Sequence, residues 1–160
     1  MGMLRMDRID RKILDILQTD SQISNQDLAE KVSLSPSPCL RRVKQLEEDG
    51  YIHQYVALLN PEKLGLTLTI ILSIGLTNHE PKKMHGFEKA IKSFPEVISC
   101  YLIAGQAADY MLKIVVSSLD EYQDLLLNKI TRIDGVGTVH SSFVLRHIVE
   151  KTALPLNQLK

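Results

Sequence analysis

Hydrophobic residues in the first fifty positions recur at the spacing of an α-helix. The first stripe follows an i, i+4, i+7, i+8 pattern and consists of Ile9, Ile13, Ile16 and Leu17. Asp7 stands before this stripe, where a carboxylate can accept hydrogen bonds from unpaired helix amides, and Asp10 follows in the first turn. The pattern predicts a first helix capped by Asp7.

Two further helical patterns follow. Ser24 and Asp27 have capping-box spacing ahead of a short apolar face formed by Leu28, Ala29 and Val32. The next helix begins within the Ser-Pro-Ser-Pro run, where either Ser35 or Ser37 can be the cap, because proline is tolerated in a first helical turn. Its apolar positions step by three and are predicted to face inward: Leu40, Val43 and Leu46.

Gly50 ends the helical part, and residues 51–56 read as an extended, β-prone run. Three short helices followed by an extended ribbon describe a winged helix-turn-helix. The predicted organisation is a helix-turn-helix domain over residues 1–50 and a β-ribbon linker over 51–64.

Beyond the linker the hydrophobic period changes. Strand patterns cover residues 66–76, 97–105, 110–118 and 137–149, and helical patterns cover 84–94 and 119–133. The last helix is predicted to bury Leu119, Tyr122, Leu126 and Ile130. The order β-α-β-β-α-β predicts a ferredoxin-like sandwich over 65–160, so the fold class is α+β. Because the strands are rich in Ile, Leu and Val, we expect a partner subunit to cover the sheet face without helices.

Composition narrows the function less than the local pattern does. The chain has 160 residues, and 19 basic residues balance 19 acidic ones, so no global charge indicates a nucleic-acid or membrane partner. Cys39 and Cys100 are far apart and are expected to be free thiols. The most apolar run is shorter than the ~20 residues of a membrane span, which favours a soluble, cytoplasmic protein.

The third predicted helix carries a local concentration of positive charge. Between Ser33 and Leu46 there are three basic residues and no acidic one. A solvated basic face would look the same, but a short helix and a tight turn before it favour double-stranded DNA as the partner. The candidate DNA contacts are Ser35, Pro36, Ser37, Pro38, Arg41, Arg42, Lys44 and Gln45. With three phosphate contacts per subunit of a dimer, a plot of log affinity against log salt concentration is predicted to fall with a slope of about 5.

Several segments resemble one family in order along the chain. They are residues 25–52 with the LSPSPCLRRV block, 59–66, 99–105, 109–116 and 133–145. They are similar to the leucine-responsive regulatory protein/AsnC family of prokaryotic transcription regulators. The resemblance implies a DNA-binding regulator whose C-terminal domain binds an amino-acid effector and forms dimers, commonly assembled into octamers as tetramers of dimers.

The same resemblance implies an effector site near a Gly-x-x-Asp-Tyr loop and the strand after the last helix. Gly105 lets a ligand approach the backbone, and Asp109 could pair with an α-ammonium group. The candidate residues are Ala104, Gly105, Gln106, Ala107, Ala108, Asp109, Tyr110, Val136 and Thr138. Gln106 departs from the common family form, the loop is one residue longer, and a plain hairpin turn is the alternative. The small residues at 107 and 108 favour an apolar free amino acid, leucine or methionine.

Signals for enzymatic chemistry are weak. The five histidines lack metal-ligand spacing, and no phosphate-binding glycine motif occurs. His140 and Ser142 share a strand face, but no acid is placed to orient the histidine. We therefore expect no enzyme, no metal and no cofactor. Two alternatives stay open: a small ferredoxin-like enzyme, and an assembly protein whose helix-turn-helix binds protein or RNA.

Overall fold

The structure is a computed structural model that describes residues 6–105 and 108–156. Its elements follow the order predicted from the sequence. The helices are α1 (Arg8–Leu17), α2 (Asn25–Lys31), α3 (Pro36–Glu48), α4 (Pro81–Ile91) and α5 (Leu119–Asp124). The strands are β1 (Leu68–Leu76), β2 (Val97–Leu102), β3 (Tyr110–Val116) and β4 (Val136–Phe143).

The first compact unit contains the three N-terminal helices. α1 begins at the predicted cap, because the Asp7 carboxylate accepts hydrogen bonds of 2.8 Å from the N–H groups of Ile9 and Asp10. The Asp10 carboxylate accepts the Asp7 N–H in return. α2 begins in the same way, with the Asp27 N–H donating to the Ser24 hydroxyl at 3.1 Å. These capping bonds satisfy amides that have no acceptor within the helix.

The three helices enclose a small core. Its buried members are Ile13, Leu28, Ala29, Val32, Cys39 and Leu46. Cys39 is completely buried, and burial raises the pKa of its thiol. The thiol therefore stays protonated and packs as a small apolar group.

The turn between α2 and α3 contains a strained residue. Ser33 has φ = 60°, in the left-handed region that side chains with a Cβ rarely adopt. The turn is closed by the Leu34 N–H, which donates to the Ala29 carbonyl at 2.9 Å. Ser33 therefore stands at the position after a helix end that glycine usually occupies.

We expect Ser33→Gly to stabilise the first unit by about 0.5–1 kcal/mol, because glycine adopts this φ without steric cost. The gain in stability is smaller than the strain energy that is removed, because glycine also raises the conformational entropy of the unfolded chain. Denaturant unfolding would measure it. Ser33→Ala is the matched control and should give no gain, since alanine keeps the Cβ; equal stabilisation by both variants would contradict the explanation.

Residues 51–60 do not form the predicted β-ribbon. Neither strand nor helix occurs in them, and a 3₁₀ turn at Glu62–Leu64 follows. A strand needs hydrogen bonds from a neighbouring strand, and none of the described segments supplies them here. The β-ribbon is therefore absent from the single chain and stays a prediction that requires strand pairing with a second chain. The exposed apolar side chains of this segment are Tyr51, Tyr55, Val56, Leu58 and Leu59.

The C-terminal residues from Val149 onward belong to the first unit, whereas the predicted boundary placed all of 65–160 in the second domain. The side chain of Gln18, the C-cap residue of α1, forms two hydrogen bonds with the backbone of Leu154. Its Nε2 donates to the Leu154 carbonyl at 3.0 Å, and the Leu154 N–H donates to its Oε1 at 2.8 Å. A contact across 136 positions leaves no signal in local periodicity.

The second unit, residues 59–148, contains one antiparallel sheet with the strand order β2-β3-β1-β4. β1 is central and pairs with both β3 and β4. β3 thus lies between β1 and β2, which are linked through α4. This arrangement is the split β-α-β of a ferredoxin-like fold and confirms the predicted class.

Alternate residues of the central strands point to the two helices and form the core. The fully buried positions in β1 and β3 are Ile70, Leu72, Ile74, Tyr110, Leu112, Ile114 and Val116. Phe87 and Ile91 of α4 and Tyr122 of α5 pack against them. Most of the aliphatic residues in these strands therefore point toward the two helices.

The opposite sheet face is more polar than predicted. The register across the sheet places Tyr101, Met111, Ser73 and His140 in one row and Ser99, Lys113, Ile71 and Ser142 in the next. Each row combines apolar and polar side chains, and polar ones predominate in the second. The expectation of an aliphatic surface was wrong because the period of two sends most Ile, Leu and Val to the helix side.

The last helix departs from the predicted stripe. α5 continues into a π-helical turn at Leu125–Lys129 and a 3₁₀ turn at Ile130–Arg132. Leu125 is fully buried and Leu119 is half exposed, whereas the sequence pattern predicted Leu119 and Leu126 in the core. A π-helical turn holds an extra residue and so rotates the following positions relative to an α-helix.

Candidate nucleic-acid interface and effector site

One face of α3 is exposed along its whole length. Its residues line a shallow depression of about 320 Å³ and have the i, i+3, i+4, i+7, i+8, i+11 spacing of a single helix face. They are Ser37, Leu40, Arg41, Lys44, Gln45 and Glu48. Within the described residues, neither Arg41 nor Lys44 takes part in a salt bridge. Two positively charged side chains are therefore directed to solvent on a face that none of the described residues of the first unit covers.

The start of α3 is set by Ser35, which resolves the alternative left by the sequence. Ser35 is the N-cap but its hydroxyl makes no capping hydrogen bond. Because Pro36 and Pro38 have no N–H, Ser37 supplies the free amide of the first turn. The Asn25 amide donates to the Pro36 carbonyl at 2.9 Å and so ties the start of α3 to α2.

The inward-facing prediction for Leu40 is wrong. Leu40 is 45% exposed, while its neighbour Cys39 is completely buried. The buried side of α3 is formed by Cys39, half-buried Val43 and Leu46, which have the i, i+4, i+7 spacing of one helix face. A step of three residues falls about 60° short of a full turn, because one turn takes 3.6 residues. Residues spaced by three, such as those that start at Leu40, therefore do not stay on one face of the helix.

Arg42 does not belong to the exposed face, contrary to its assignment as a DNA contact. One nitrogen of its guanidinium, Nη1, lies 2.7 Å from Asp7 Oδ2 and 2.7 Å from Asp10 Oδ1. Its side chain is one-third exposed. Arg42 thus connects α3 to the capped start of α1, and its charge is matched within the protein.

These contacts shift the pKa values of the groups involved. The Asp10 N–H, which donates to the Asp7 carboxylate, is the main cause that lowers the pKa of Asp7, and Arg42 lowers it further. The hydrogen bonds to Asp10 and Asp7 raise the pKa of Arg42. Asp7 and Arg42 therefore remain ionised near neutral pH, and the connection between α1 and α3 persists there.

The second candidate site lies at one end of the sheet. The loop between β2 and β3 meets the end of β1, since the Asp109 N–H donates to the Ile74 carbonyl at 2.8 Å. Thr138 of β4 pairs with Gly75 of β1 at the same end. Ala104, Gly105 and Thr138 are exposed there. The structure thus brings the predicted loop and strand together, while Gln106 and Ala107 lie outside the described residues.

Both oxygens of Asp109 are occupied within the protein. The Leu76 N–H donates to Oδ2 at 2.6 Å, and His79 Nε2 lies 2.6 Å from Oδ1. The hydrogen bond from Leu76 lowers the pKa of Asp109, and the one with His79 adds to this effect. The interpretation of Asp109 as the partner of a ligand ammonium group is therefore not supported. Asp109 instead fastens the loop to β1 and to the segment before α4.

Tyr110 cannot line the site with its side chain. It is 1% exposed and its ring packs against Phe87 with centroids 4.6 Å apart. Its hydroxyl donates to the Glu88 carboxylate at 3.0 Å, and burial followed by this contact raises the Tyr110 pKa. As the first residue of β3, Tyr110 points to the helix side, whereas Val136 is half-buried beside the same core.

Sequence reasoning missed two residues that the structure places at these sites. His79 stands in a polar loop with no periodic signal, and only folding brings it to Asp109. Leu40 was assigned to the core although the alternative stripe through Cys39 fits the helix period better. The helix period could have identified Leu40, whereas no local pattern could have identified His79.

Two other kinds of feature are absent from the part of the chain that the structure describes. Among residues 6–105 and 108–156, no three His, Cys, Asp or Glu side chains come together as a metal site would require. Within the same ranges, no helix is both long and apolar enough to cross a bilayer.

Two protein-family models match the chain. Residues 6–53 match the winged helix-turn-helix DNA-binding model, and residues 69–154 match the Lrp/AsnC ligand binding domain. The first match contains α1, α2 and α3, and the second contains all of β1 but its first residue, the other three strands, α4 and α5. The matches therefore coincide with the two regions in which the candidate sites lie.

Similar proteins cover almost all of the chain. The Bkd operon transcriptional regulator of Pseudomonas aeruginosa is 42% identical over 96% of this chain and 100% of its own length. The leucine-responsive regulatory protein of Haemophilus influenzae is 42% identical, over 94% of this chain and 90% of its own length. A Neisseria meningitidis transcriptional regulator, solved as an L-Met complex, has a TM-score of 0.93 and 38% identity, and the match covers 98% of this chain and 100% of that one. The chain belongs to the Lrp/AsnC family of DNA-binding transcription regulators, with an N-terminal winged helix-turn-helix and a C-terminal amino-acid-binding domain.

Proposed function

We propose that α3 is the recognition helix and that its exposed face enters the major groove of double-stranded DNA. The observation that carries this proposal is the solvent-directed face with Arg41 and Lys44. Ser37 and Gln45 lie on the same face and can donate to phosphates or base edges. Ser35, the N-cap of α3, has a hydroxyl that makes no capping hydrogen bond and can also contact a phosphate.

Arg42 has a different part in this proposal. It holds α3 against the start of α1 and so sets the angle at which the exposed face is presented. Pro36 and Pro38 shape the first turn and leave the Ser37 N–H to meet a phosphate at the positive end of the helix dipole. The contact set is thereby reduced from eight residues to Ser35, Ser37, Arg41, Lys44 and Gln45.

For the second unit we propose an apolar free amino acid as effector, bound at the end of the sheet beside the β2–β3 loop. The methionine complex of the Neisseria relative supports this chemistry. Exposed backbone at Ala104 and Gly105 can bind a carboxylate, and Thr138 lies across β1 from them. Asp109 acts by holding the loop rather than by touching the ligand.

A thermal-shift screen of the twenty amino acids tests the effector proposal. L-methionine or L-leucine is expected to raise the melting temperature, because a ligand that binds only the folded form stabilises it. The D-enantiomer of the same amino acid is the matched control. If no amino acid changes the melting temperature at millimolar concentration, the effector proposal fails while DNA binding is unaffected.

We also propose that the chain forms dimers through the sheet face without helices, and that dimers assemble into octamers. The exposed Tyr101 side chain lies on this face of β2, in the row with Met111, and supports an interface there. The unpaired apolar segment 51–59 supports a ribbon formed with a second chain. Light scattering on the full chain should give a mass that is a multiple of two chains; the mass of one chain would exclude the assembly.

The enzyme alternative is less well supported than regulation. His140 and Lys113 do lie on the open sheet face, so the aliphatic character expected there cannot be used against an active site. In the described part of the chain, however, His140 makes no hydrogen bond to a carboxylate that would orient it. The relatives are transcription regulators. We therefore propose that the chain is not an enzyme and acts in the cytoplasm on DNA.

A further inference from the structure

Leu40 is the one apolar member of the exposed α3 face. It is flanked by Ser37 one turn before it and by Arg41 and Lys44 beside and after it. Its side chain is 45% exposed, whereas Cys39 and Leu46 fill the buried side of the helix. Leu40 is therefore not required for the core of the first unit.

A single exposed leucine is common and carries no meaning by itself. Its position gives it significance here, because the surrounding residues are those proposed to contact DNA. Residues near the N-terminus of a recognition helix are the ones that reach base edges in helix-turn-helix proteins. Leu40 is the fifth residue of α3, in its second turn.

The major groove offers an apolar side chain one matching group, the C5-methyl of thymine. A leucine cannot hydrogen-bond to the groove edges of guanine, adenine or cytosine. Placed over cytosine, it would cover the N4 amino group without accepting its hydrogen, which is unfavourable. The side chain thus discriminates between bases without a polar contact.

We propose that Leu40 is a specificity-determining residue that contacts a thymine C5-methyl group in each half-site. This inference rests on the proposed function, in which the exposed face of α3 enters the major groove. Arg41 and Lys44 anchor the helix on the phosphates, and Leu40, beside Arg41 on the same face, makes recognition depend on thymine at one position of the half-site.

The experiment begins with duplexes selected from a random pool by the full-length protein. Each thymine of the selected site is then replaced singly by deoxyuridine, which lacks only the C5-methyl. The wild-type protein should lose about three- to fivefold in affinity at one position in each half-site, the effect of burying one methyl group. At the remaining thymines the affinity should not change.

The variant Leu40→Ala should bind the thymine and deoxyuridine duplexes equally. Leu40→Met keeps an apolar side chain and should retain part of the preference, which separates loss of the contact from a folding defect. Lys44→Ala is the matched control: it should weaken binding to both duplexes by the same factor and preserve their ratio.

The inference is overturned if no deoxyuridine substitution affects wild-type binding, or if Leu40→Ala keeps the full preference for thymine. The second result would assign the methyl contact to another side chain. If the proposed function itself is wrong, the result is different: the selection enriches no duplex above non-specific binding. A Leu40 that serves a protein partner instead would leave the thymine preference unchanged on substitution.

Discussion

Replacing Arg41 and Lys44 together by alanine is expected to abolish specific DNA binding at physiological salt while the fold stays intact. The two side chains project from α3 to solvent, so the core does not depend on them. Each phosphate contact contributes about 0.9 to the slope of log affinity against log salt. With two contacts per subunit, a dimer should show a slope of about 3.6 rather than the value near 5 expected when Arg42 was included.

The affinity loss should be large because four contacts are lost per dimer. Electrostatic contacts of this number change affinity by about a hundredfold or more at moderate salt. Titration of a selected duplex by fluorescence anisotropy at several salt concentrations would give both the affinity and the slope. For the double variant, the slope of log affinity against log salt should be shallow. Its melting temperature should equal that of the wild type.

Arg42→Ala is the matched control, because it removes the same charge from the next position of the same helix. Its guanidinium is bound to Asp7 and Asp10, so we expect lower stability of the first unit and an unchanged salt slope. The single variant Arg41→Ala should lower the slope, and an equal fall for Arg42→Ala would show that the ion pair opens on DNA. Full DNA binding by the double variant would show that another surface contacts the duplex.

Asp109→Ala is expected to destabilise the second unit by about 1–3 kcal/mol, because it leaves the Leu76 N–H without its hydrogen-bond acceptor. The same change releases the β2–β3 loop from His79. We therefore expect weaker binding of the amino-acid effector as well, since the loop that carries Gly105 loses its anchor. Urea unfolding and calorimetry would measure the two effects.

Asp109→Asn is the control that keeps the shape and an acceptor for the Leu76 N–H. It should lose less stability than Asp109→Ala and retain effector binding. If effector affinity is lost equally in both variants, the carboxylate charge touches the ligand and the anchoring explanation is wrong. If neither variant changes effector affinity, the loop does not form the site.

The contribution of Asp109 should depend on pH in a defined direction. Its pKa is lowered from the ordinary value of 3.8 by the Leu76 N–H and by His79. A lowered folded-state pKa gives stability that is fully present above the unfolded value and lost as the pH falls through the folded one. The stability difference between the wild type and Asp109→Asn should therefore shrink as the pH falls below about pH 4.

The sequence alone determined the order of the elements. Apolar spacing of three to four residues marked α1, α2 and α4, and alternation marked the strands, because these periods follow directly from helix and strand geometry. The caps at Asp7 and Ser24 were predictable for the same reason, since each depends on residues at most three positions apart. The basic character of α3 was also local and could be read directly.

Only the tertiary structure decided what each candidate residue does. Arg41 and Arg42 are chemically identical neighbours, yet one faces solvent and the other binds two carboxylates of α1. The sequence pattern indicated that Asp109 binds the ligand. In the structure its carboxylate instead contacts Leu76 and His79, which are 33 and 30 positions away in the chain. Local patterns fix which face of a helix or strand a residue is on, whereas the partner that meets that face comes from distant segments and is set by packing.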